Sequence, residues 1–189
     1  MVCAARRGKR GRAASCCAIT DGGDMSEMKQ KIADTNAKIA EASAFPRDQW
    51  ITHDEMYAAL AILYPNAVHG RDVFVCHMVE PENPNPVSTA FIAHWDVPGV
   101  PEPSLSELMQ AIAPHVNTAK ATVRAHDVRV QRNAELDKSD ILFTRATEDE
   151  NAAQVAALKT YRKALRDLPL QSGFPFNVDW PELPAEAQQ

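Results

Sequence analysis

Hydrophobic positions recur at helical spacing along most of the chain, beginning at Met25. A narrow stripe with steps of three and four residues covers the first run, and Thr35 is its one polar member. Such a stripe is typical of a coiled-coil seam, although it spans fewer than three heptads. It predicts a helix over 25–44 that either leans on the rest of the protein or self-associates through 25–42. The stripe consists of Met25, Met28, Ile32, Thr35, Ile39 and Ala42.

Two further short helices carry start and stop signals. Thr52 and Glu55 form a capping box, in which each side chain can bond the other residue's backbone N–H, and Pro65 stops the helix that follows. Ser104 and Glu107 form a second capping box, and its helix is expected to end near Ala113. The first of these helices has an apolar face of Met56, Tyr57, Leu60, Leu63 and Tyr64.

The last two predicted helices are longer. One runs from His115 to about Lys138, and the other begins near Thr147 and is terminated by Pro169. The simplest arrangement is an antiparallel helical hairpin joined by residues 139–146. The first helix has the stripe Val116, Ala119, Val123, Val130 and Leu136, and the second has Val155, Leu158, either Tyr161 or Arg162, Leu165 and Leu168.

Two β-rich runs lie between the helices. Asp72–Val79 and Ser88–Val97 have strand-like composition, and the prolines of the intervening segment 80–86 favour a loop. An antiparallel hairpin is the simplest pairing, with one face covered by a helix. Alternation would put Phe74, Cys76 and Met78 on one face with Phe91, Ala93 and Trp95. The predicted fold class is therefore α+β and mostly helical, with one small antiparallel β-hairpin and a C-terminal helical hairpin followed by an extended aromatic strip.

Charge divides the chain unevenly. Its net charge is −5, but residues 1–24 carry five basic and two acidic side chains, including Arg6, Arg7 and Arg10. This first segment has no aromatic residue, so it is predicted to be a disordered basic arm, and an upstream extension ahead of Met25 is one hypothesis for its origin. The acidic remainder argues against nucleic-acid binding. The most apolar stretch, 56–69, is too short for a membrane span and contains Pro65.

The residues that could support catalysis or metal binding lack the required spacing. The six His and four Cys show no zinc-type pattern, and there is no nucleophile elbow or glycine-rich phosphate loop. Cys76 lies in an apolar strand, where it is more often a core residue than a thiolate. The sequence therefore predicts no metal, no cofactor and no enzymatic activity.

The C-terminal segment is the most informative. After Pro169 and Gly173, apolar residues alternate along a proline-bounded stretch: Phe174, Phe176, Val178 and Trp180. Such a stretch cannot be a central strand. It either folds back over the helical hairpin or presents apolar groups to another protein.

Residues 128–181 also resemble a known family, the tail assembly chaperone proteins of tailed bacteriophages. The resemblance lies in VRVQRN at 128–133 with Leu136 and the pair Ser139-Asp140, and then in YRKALRDLPLQSGFPFNVDWP at 161–181. The second of these stretches is the more specific. Family members commonly have a Trp after the Ser-Asp pair, where Ile141 stands here. More loosely, FIAHWDVPGVPEPSLSEL at 91–108 is similar to phage tail-gene sequences.

The resemblance implies a small binding protein that shields or orients a phage tail component, such as a tail fibre, in the host cytoplasm during infection. The alternative is a structural component that stays in the virion tail. Neither implies a cofactor or a catalytic group. The residues that would contact the partner are Tyr161, Arg162, Leu165, Arg166, Phe174, Phe176 and Trp180.

These observations predict five segments. The basic arm 1–24 precedes the N-terminal helix 25–44, and a small domain of one helix and a β-hairpin covers 45–103. The helical, chaperone-like region covers 104–181, and a flexible tail, 182–189, ends the chain.

Overall fold

The computed structural model describes residues 25–80 and 82–185. The predicted basic arm 1–24 and the last four residues of the predicted tail lie outside this range. Within it the chain is mostly helical with small antiparallel sheets, which confirms the α+β class. The helices are α1 (Met25–Ala44), α2 (His53–Leu63), α3 (Leu105–Ile112), α4 (Val116–Glu148) and α5 (Ala152–Asp167), and the strands are β1 (Val73–Cys76), β2 (Val79–Glu80), β3 (Asn83–Pro86) and β4 (Phe91–Trp95).

Two compact units make up the chain. The first ends at Ala119 and the second begins at Lys120, so the boundary falls near the start of α4. The first unit contains the sheets with α1, α2 and α3, and the second contains most of α4, all of α5 and the C-terminal segment.

Helix α2 covers the main sheet of the first unit, as the sequence predicts. Its N-cap is the expected capping box between Thr52 and Glu55, and Met56 and Leu60 are buried. The Tyr57 hydroxyl accepts a hydrogen bond from the Val75 N–H at 3.0 Å and donates to a carbonyl of the same strand. The Tyr57 hydroxyl therefore fixes α2 against β1.

The β-hairpin forms between β1 and β4, and the predicted inward face is right in part: Cys76 and Phe91 are buried and Met78 and Trp95 pack on the core, but Phe74 and Ala93 do not face inward. A bulge places Phe74 opposite His94 and Val75 opposite Ile92, so that Ala93 is the extra residue of its strand. The bulge breaks the regular alternation on which the prediction depended. Phe74 and Ala93 are exposed as a result, and the buried residues are Val73, Val75, Cys76, Phe91 and Ile92.

The segment between these strands is not a simple loop. Val79 pairs with Pro86 and Glu80 with Asn83, which gives a second, very short antiparallel sheet. The prolines are tolerated because this sheet has only two strands, so each strand is an edge.

Helices α4 and α5 form the predicted antiparallel hairpin, but with different ends. Helix α4 continues to Glu148 through the predicted linker, since Leu142, Phe143 and Ala146 extend its apolar stripe. The Thr147 hydroxyl donates to the Phe143 carbonyl within the helix and caps nothing.

Helix α5 begins after a tight turn. Glu150 has a left-handed backbone conformation with φ of 54°, and the Asn151 side chain accepts the Gln154 N–H at 3.1 Å. Asn151, and not Thr147, is therefore the N-cap of this helix.

The predicted stripe on α4 is also wrong at one position. Val128 is buried, whereas Val130 is 54% exposed. A continuous helix advances about 100° per residue, so a shift of two positions moves a side chain from the packed face to the solvent face. The stripe predicted on α5 is confirmed, because Leu158, Tyr161, Leu165 and Leu168 are all buried.

Candidate partner-binding surface

Arg162 links the two helices of the hairpin. Its guanidinium donates to the Ser139 hydroxyl at 2.8 Å, forms an ion pair with Asp140 and lies over the Phe143 ring at 5.8 Å. Ser139 is fully buried, and its own hydroxyl donates to the Leu136 carbonyl. The Ser-Asp pair noted in the sequence therefore works together with Arg162, since a half-buried cation needs such partners.

Tyr161 and Leu165 lie in the interior of the hairpin. Leu165 is fully buried and Tyr161 is 5% exposed, and both pack with Leu168. Burial, together with the neighbouring Glu135 carboxylate, raises the pKa of Tyr161. These two residues were predicted to contact a partner. In this conformation they stabilise the hairpin, and their side chains are not accessible to a partner.

The end of the C-terminal segment folds back along the hairpin. Val178 and Trp180 pack on the cluster of Tyr161, Leu165 and Leu168. Leu183, which the sequence analysis placed in a flexible tail, packs there too and also on the cluster of Ala146 and Leu158. The return is fastened by Gln171, whose side chain donates to the Asp179 carbonyl and accepts the Asp179 N–H.

The extended aromatic strip predicted from Phe174 onward is wrong over residues 174–177, which belong to a compact turn over 171–177. The Phe174 N–H donates to the Gln171 carbonyl, and the Asn177 N–H donates to the Gly173 carbonyl at 2.7 Å. A Cβ atom at position 173 would overlap the Asn177 carbonyl oxygen. Glycine is therefore required here for close approach of two backbone segments.

This turn and the residues just before it present an apolar surface. Leu170 is 81% exposed and Phe176 is 56% exposed, and Phe174 is half-buried beside them in the chain. The Arg129 guanidinium lies 5.3 Å from the Phe174 ring centre, within cation–π range. Arg166 is exposed on the last turn of α5. We call Leu170, Phe174 and Phe176, with Arg129 and Arg166, the terminal-turn surface.

The structure divides the seven predicted contact residues into two groups. Arg166, Phe174 and Phe176 contribute to the terminal-turn surface, whereas Tyr161, Arg162, Leu165 and Trp180 hold the hairpin and its returning segment together. Sequence reasoning missed Leu170 and Arg129 as surface residues. Leu170 breaks the helical stripe directly after Pro169, which is a signal for exposure, and Arg129 has no such signal in the sequence.

Other kinds of site have little support among the described residues. No three His, Cys, Asp or Glu side chains there are arranged to hold a metal ion. Across residues 25–80 and 82–185, no helix combines the length and the apolar character that a membrane crossing requires. In the second unit, the terminal-turn surface is the strongest candidate for a functional site because it combines exposed apolar side chains with an arginine over an aromatic ring.

Comparisons with known proteins give matches on both units. Residues 125–185 match the family model described as phage tail assembly chaperone protein. Residues 56–120 match the model of the XkdW protein family. No curated protein and no solved structure matches the chain.

Proposed function

We propose that the protein binds a phage tail protein, most simply a tail fibre protein, without catalysing a reaction. The premise is that residues 125–185 match the phage tail assembly chaperone family. The protein's place of action would be the host cytoplasm during infection. The observation that supports this proposal best is the terminal-turn surface, which lies within the matched region.

Exposure of this surface has a free-energy cost that a bound partner would relieve. Burial of apolar area is worth about 25 cal/mol per Å², and large side chains exposed next to one another often mark binding sites. Leu170 and Phe176 are the two large apolar side chains of the segment 168–177 that point to solvent. A partner that covers both with apolar side chains would remove this area from water.

The charges near the terminal-turn surface indicate which residue types a bound partner segment would contain. Arg129 lies over the Phe174 ring, and Arg166 is exposed on the last turn of α5, four residues before Leu170 in the chain. Aromatic and Arg side chains are the types that dominate binding energies in interfaces. The surface therefore fits an extended or helical segment with apolar residues next to Asp or Glu. A segment of this kind in an unassembled tail protein would aggregate without cover, which is the hazard that an assembly chaperone prevents.

A structural component of the virion tail is the alternative that must be separated from a chaperone. Both would bind a tail protein, but only the structural component would remain in the finished particle. Quantitative mass spectrometry of infected cells and of purified particles from the same culture distinguishes them. The proposal predicts abundant protein in cells and none above background in particles, and a copy number in particles comparable to tail proteins would overturn it.

A further inference from the structure

Strand β4 has a free edge beside a cavity in the first unit. In the part of the chain that the structure describes, β4 pairs with β1 alone, and no backbone hydrogen bond from another segment reaches residues 91–95. Phe91 and Ile92 of β4 both line a cavity of about 440 Å³. Neighbouring residues of a strand point to opposite faces, so a cavity that both residues line lies at the strand edge. None of the described lining residues belongs to β1, so this is the edge away from β1.

Helices α1 and α3 form the sides of this cavity. The lining residues Leu105 and Leu108 of α3 are buried, and the lining residue Glu41 of α1 is exposed. The cavity therefore has an apolar floor and a charged rim. A free strand edge with side-chain pockets beside it is the setting in which an extended segment adds a strand, because the edge supplies unpaired N–H and C=O groups.

Acidic side chains dominate this part of the molecule. Glu41, Glu102 and Glu107 line the cavity, and Lys38, the one cation among the described lining residues, is already paired with Glu102. Hydrogen bonds from the N-cap residue of α3 lower the pKa of Glu107, so its carboxylate is charged at neutral pH. Residues 25–119 carry five basic and twelve acidic side chains, a net of −7. These charges favour an extended segment with several cations as the occupant.

We propose that the basic segment 6–12 of this chain docks at the free edge of β4 and adds a strand there, with its cations against the carboxylates of the cavity. Five of the seven residues in this segment are Arg or Lys. The apolar stem of an Arg side chain can cover Phe91 or Leu105 while its guanidinium reaches Glu41 or Glu107 at the rim.

The covalent connection favours this segment over a basic segment of another protein. Lys38 lies 13 residues after Met25 on α1, a distance of about 20 Å at about 1.5 Å per residue. Arg12 lies 13 residues before Met25, and an extended chain of that length spans up to about 43 Å. Segment 6–12 can therefore reach the cavity. A tethered segment within reach has an effective concentration of about a millimolar, which a separate partner would have to match by its own abundance.

Carbodiimide cross-linking of the full chain tests the docking, because this reagent joins amines to carboxylates that are in contact. Lys9 is the one lysine before α1 in the sequence. The proposal predicts that Lys9 becomes linked to Glu41 or Glu107, with a yield that does not depend on protein concentration. A segment that does not dock would be linked mainly to Glu27 and Asp34, which are nearer to it on α1. That pattern would overturn the proposal, and so would a link to Glu41 found only in cross-linked dimers.

Hydrogen exchange of the β4 amides tests the added strand. A site with a dissociation constant of about 0.1 mM is about nine-tenths occupied at the tethered concentration. Changing the five basic residues of 6–12 to Gln should therefore make the β4 amides that point away from β1 exchange about tenfold faster. The control variant changes five exposed cations of the second unit to Gln and should leave this exchange unchanged: Arg124, Lys138, Arg145, Lys159 and Lys163. Exchange of the β4 amides at the wild-type rate in the 6–12 variant would contradict the proposal.

Discussion

Gly173 controls the shape of the terminal turn at the scale of a single residue. Its missing side chain lets the Asn177 carbonyl approach, and the Asn177 N–H bonds back to residue 173. Gly173→Ala should therefore lower the free energy of unfolding by about 1–3 kcal/mol, the range for overpacking a tight site. Urea unfolding followed by circular dichroism measures the change. The neighbouring exposed Ser172→Ala is the matched control, and equal stability of the two variants would contradict the role given to Gly173.

A histidine cluster predicts that acid destabilises the first unit. The rings of His53 and His69 lie 4.6 and 4.3 Å from the Tyr57 ring, and His77 is 6.4 Å from His53. Burial, with the nearby His53, lowers the pKa of both His69 and His77, and the Nδ1 atom of His77 is buried without a partner in the described residues. The Asp54 carboxylate opposes this shift at His77 only in part.

The direction in which stability changes with pH follows from proton binding. These two histidines bind protons more readily in the unfolded state than in the folded one. Stability from these two histidines is therefore complete above pH of about 6.5, the ordinary histidine pKa, and is lost as the pH falls below it. Thermal unfolding of the first unit should show a lower midpoint at pH 5 than at pH 7.5. His77→Gln should reduce this difference, whereas His126→Gln on α4 should leave it unchanged. A pH difference that is the same in the wild type and in His77→Gln would refute the assignment.

At the scale of an element, the start of α5 shows why local signals can mislead. Thr147, Glu148, Asp149 and Glu150 resemble a helix N-terminus, and Thr147 with Glu150 has capping-box spacing. The preceding helix continues through them because Leu142, Phe143 and Ala146 pack on α5. Tertiary packing therefore decides where α4 ends, and the sequence of one segment does not contain that information.

Two substitutions distinguish the predicted cap from the observed one. Asn151→Ala removes the bond to the Gln154 N–H and should cost about 1 kcal/mol of stability, the typical value for an N-cap. Thr147→Ala removes only a hydroxyl bonded within the helix and should change stability by less than about 0.5 kcal/mol. Chemical denaturation measures the free energy of unfolding of both variants. A larger loss for Thr147→Ala than for Asn151→Ala would indicate that Thr147 is the cap.

Elements that depend only on local sequence were predictable, and elements that depend on tertiary contacts were not. The capping boxes at Thr52 and Ser104 were confirmed, because each involves two residues three apart and needs no distant contact. The β-bulge at Phe74 depends on cross-strand pairing, and the turn at 171–177 depends on contacts between backbone groups. The sequence pattern has period two in both places, so it predicted regular extended segments where the structure has a bulged strand and a compact turn.

At the scale of the whole molecule, the family resemblance and the structure give complementary information. The resemblance over 128–181 predicted the family that residues 125–185 match. It could not separate contact residues from residues that maintain the hairpin, because a tightly packed helix pair and a binding surface use the same side-chain types. The structure shows that Tyr161 and Leu165 are buried within the hairpin and that Leu170 and Phe176 are accessible to a partner.

The central claim is that the terminal-turn surface binds a phage tail protein. The most direct test is affinity purification of the tagged chain from phage-infected cells, with the bound phage tail proteins quantified by mass spectrometry. Leu170→Ser with Phe176→Ser removes the exposed apolar groups, and Ile141→Ser with Val130→Ser removes two others that are 58% and 54% exposed on α4. We predict that one tail protein is retained by the wild type and by the α4 variant, and is reduced at least about tenfold by the terminal-turn variant. Retention of that tail protein by a folded terminal-turn variant, at the wild-type level, would contradict the account.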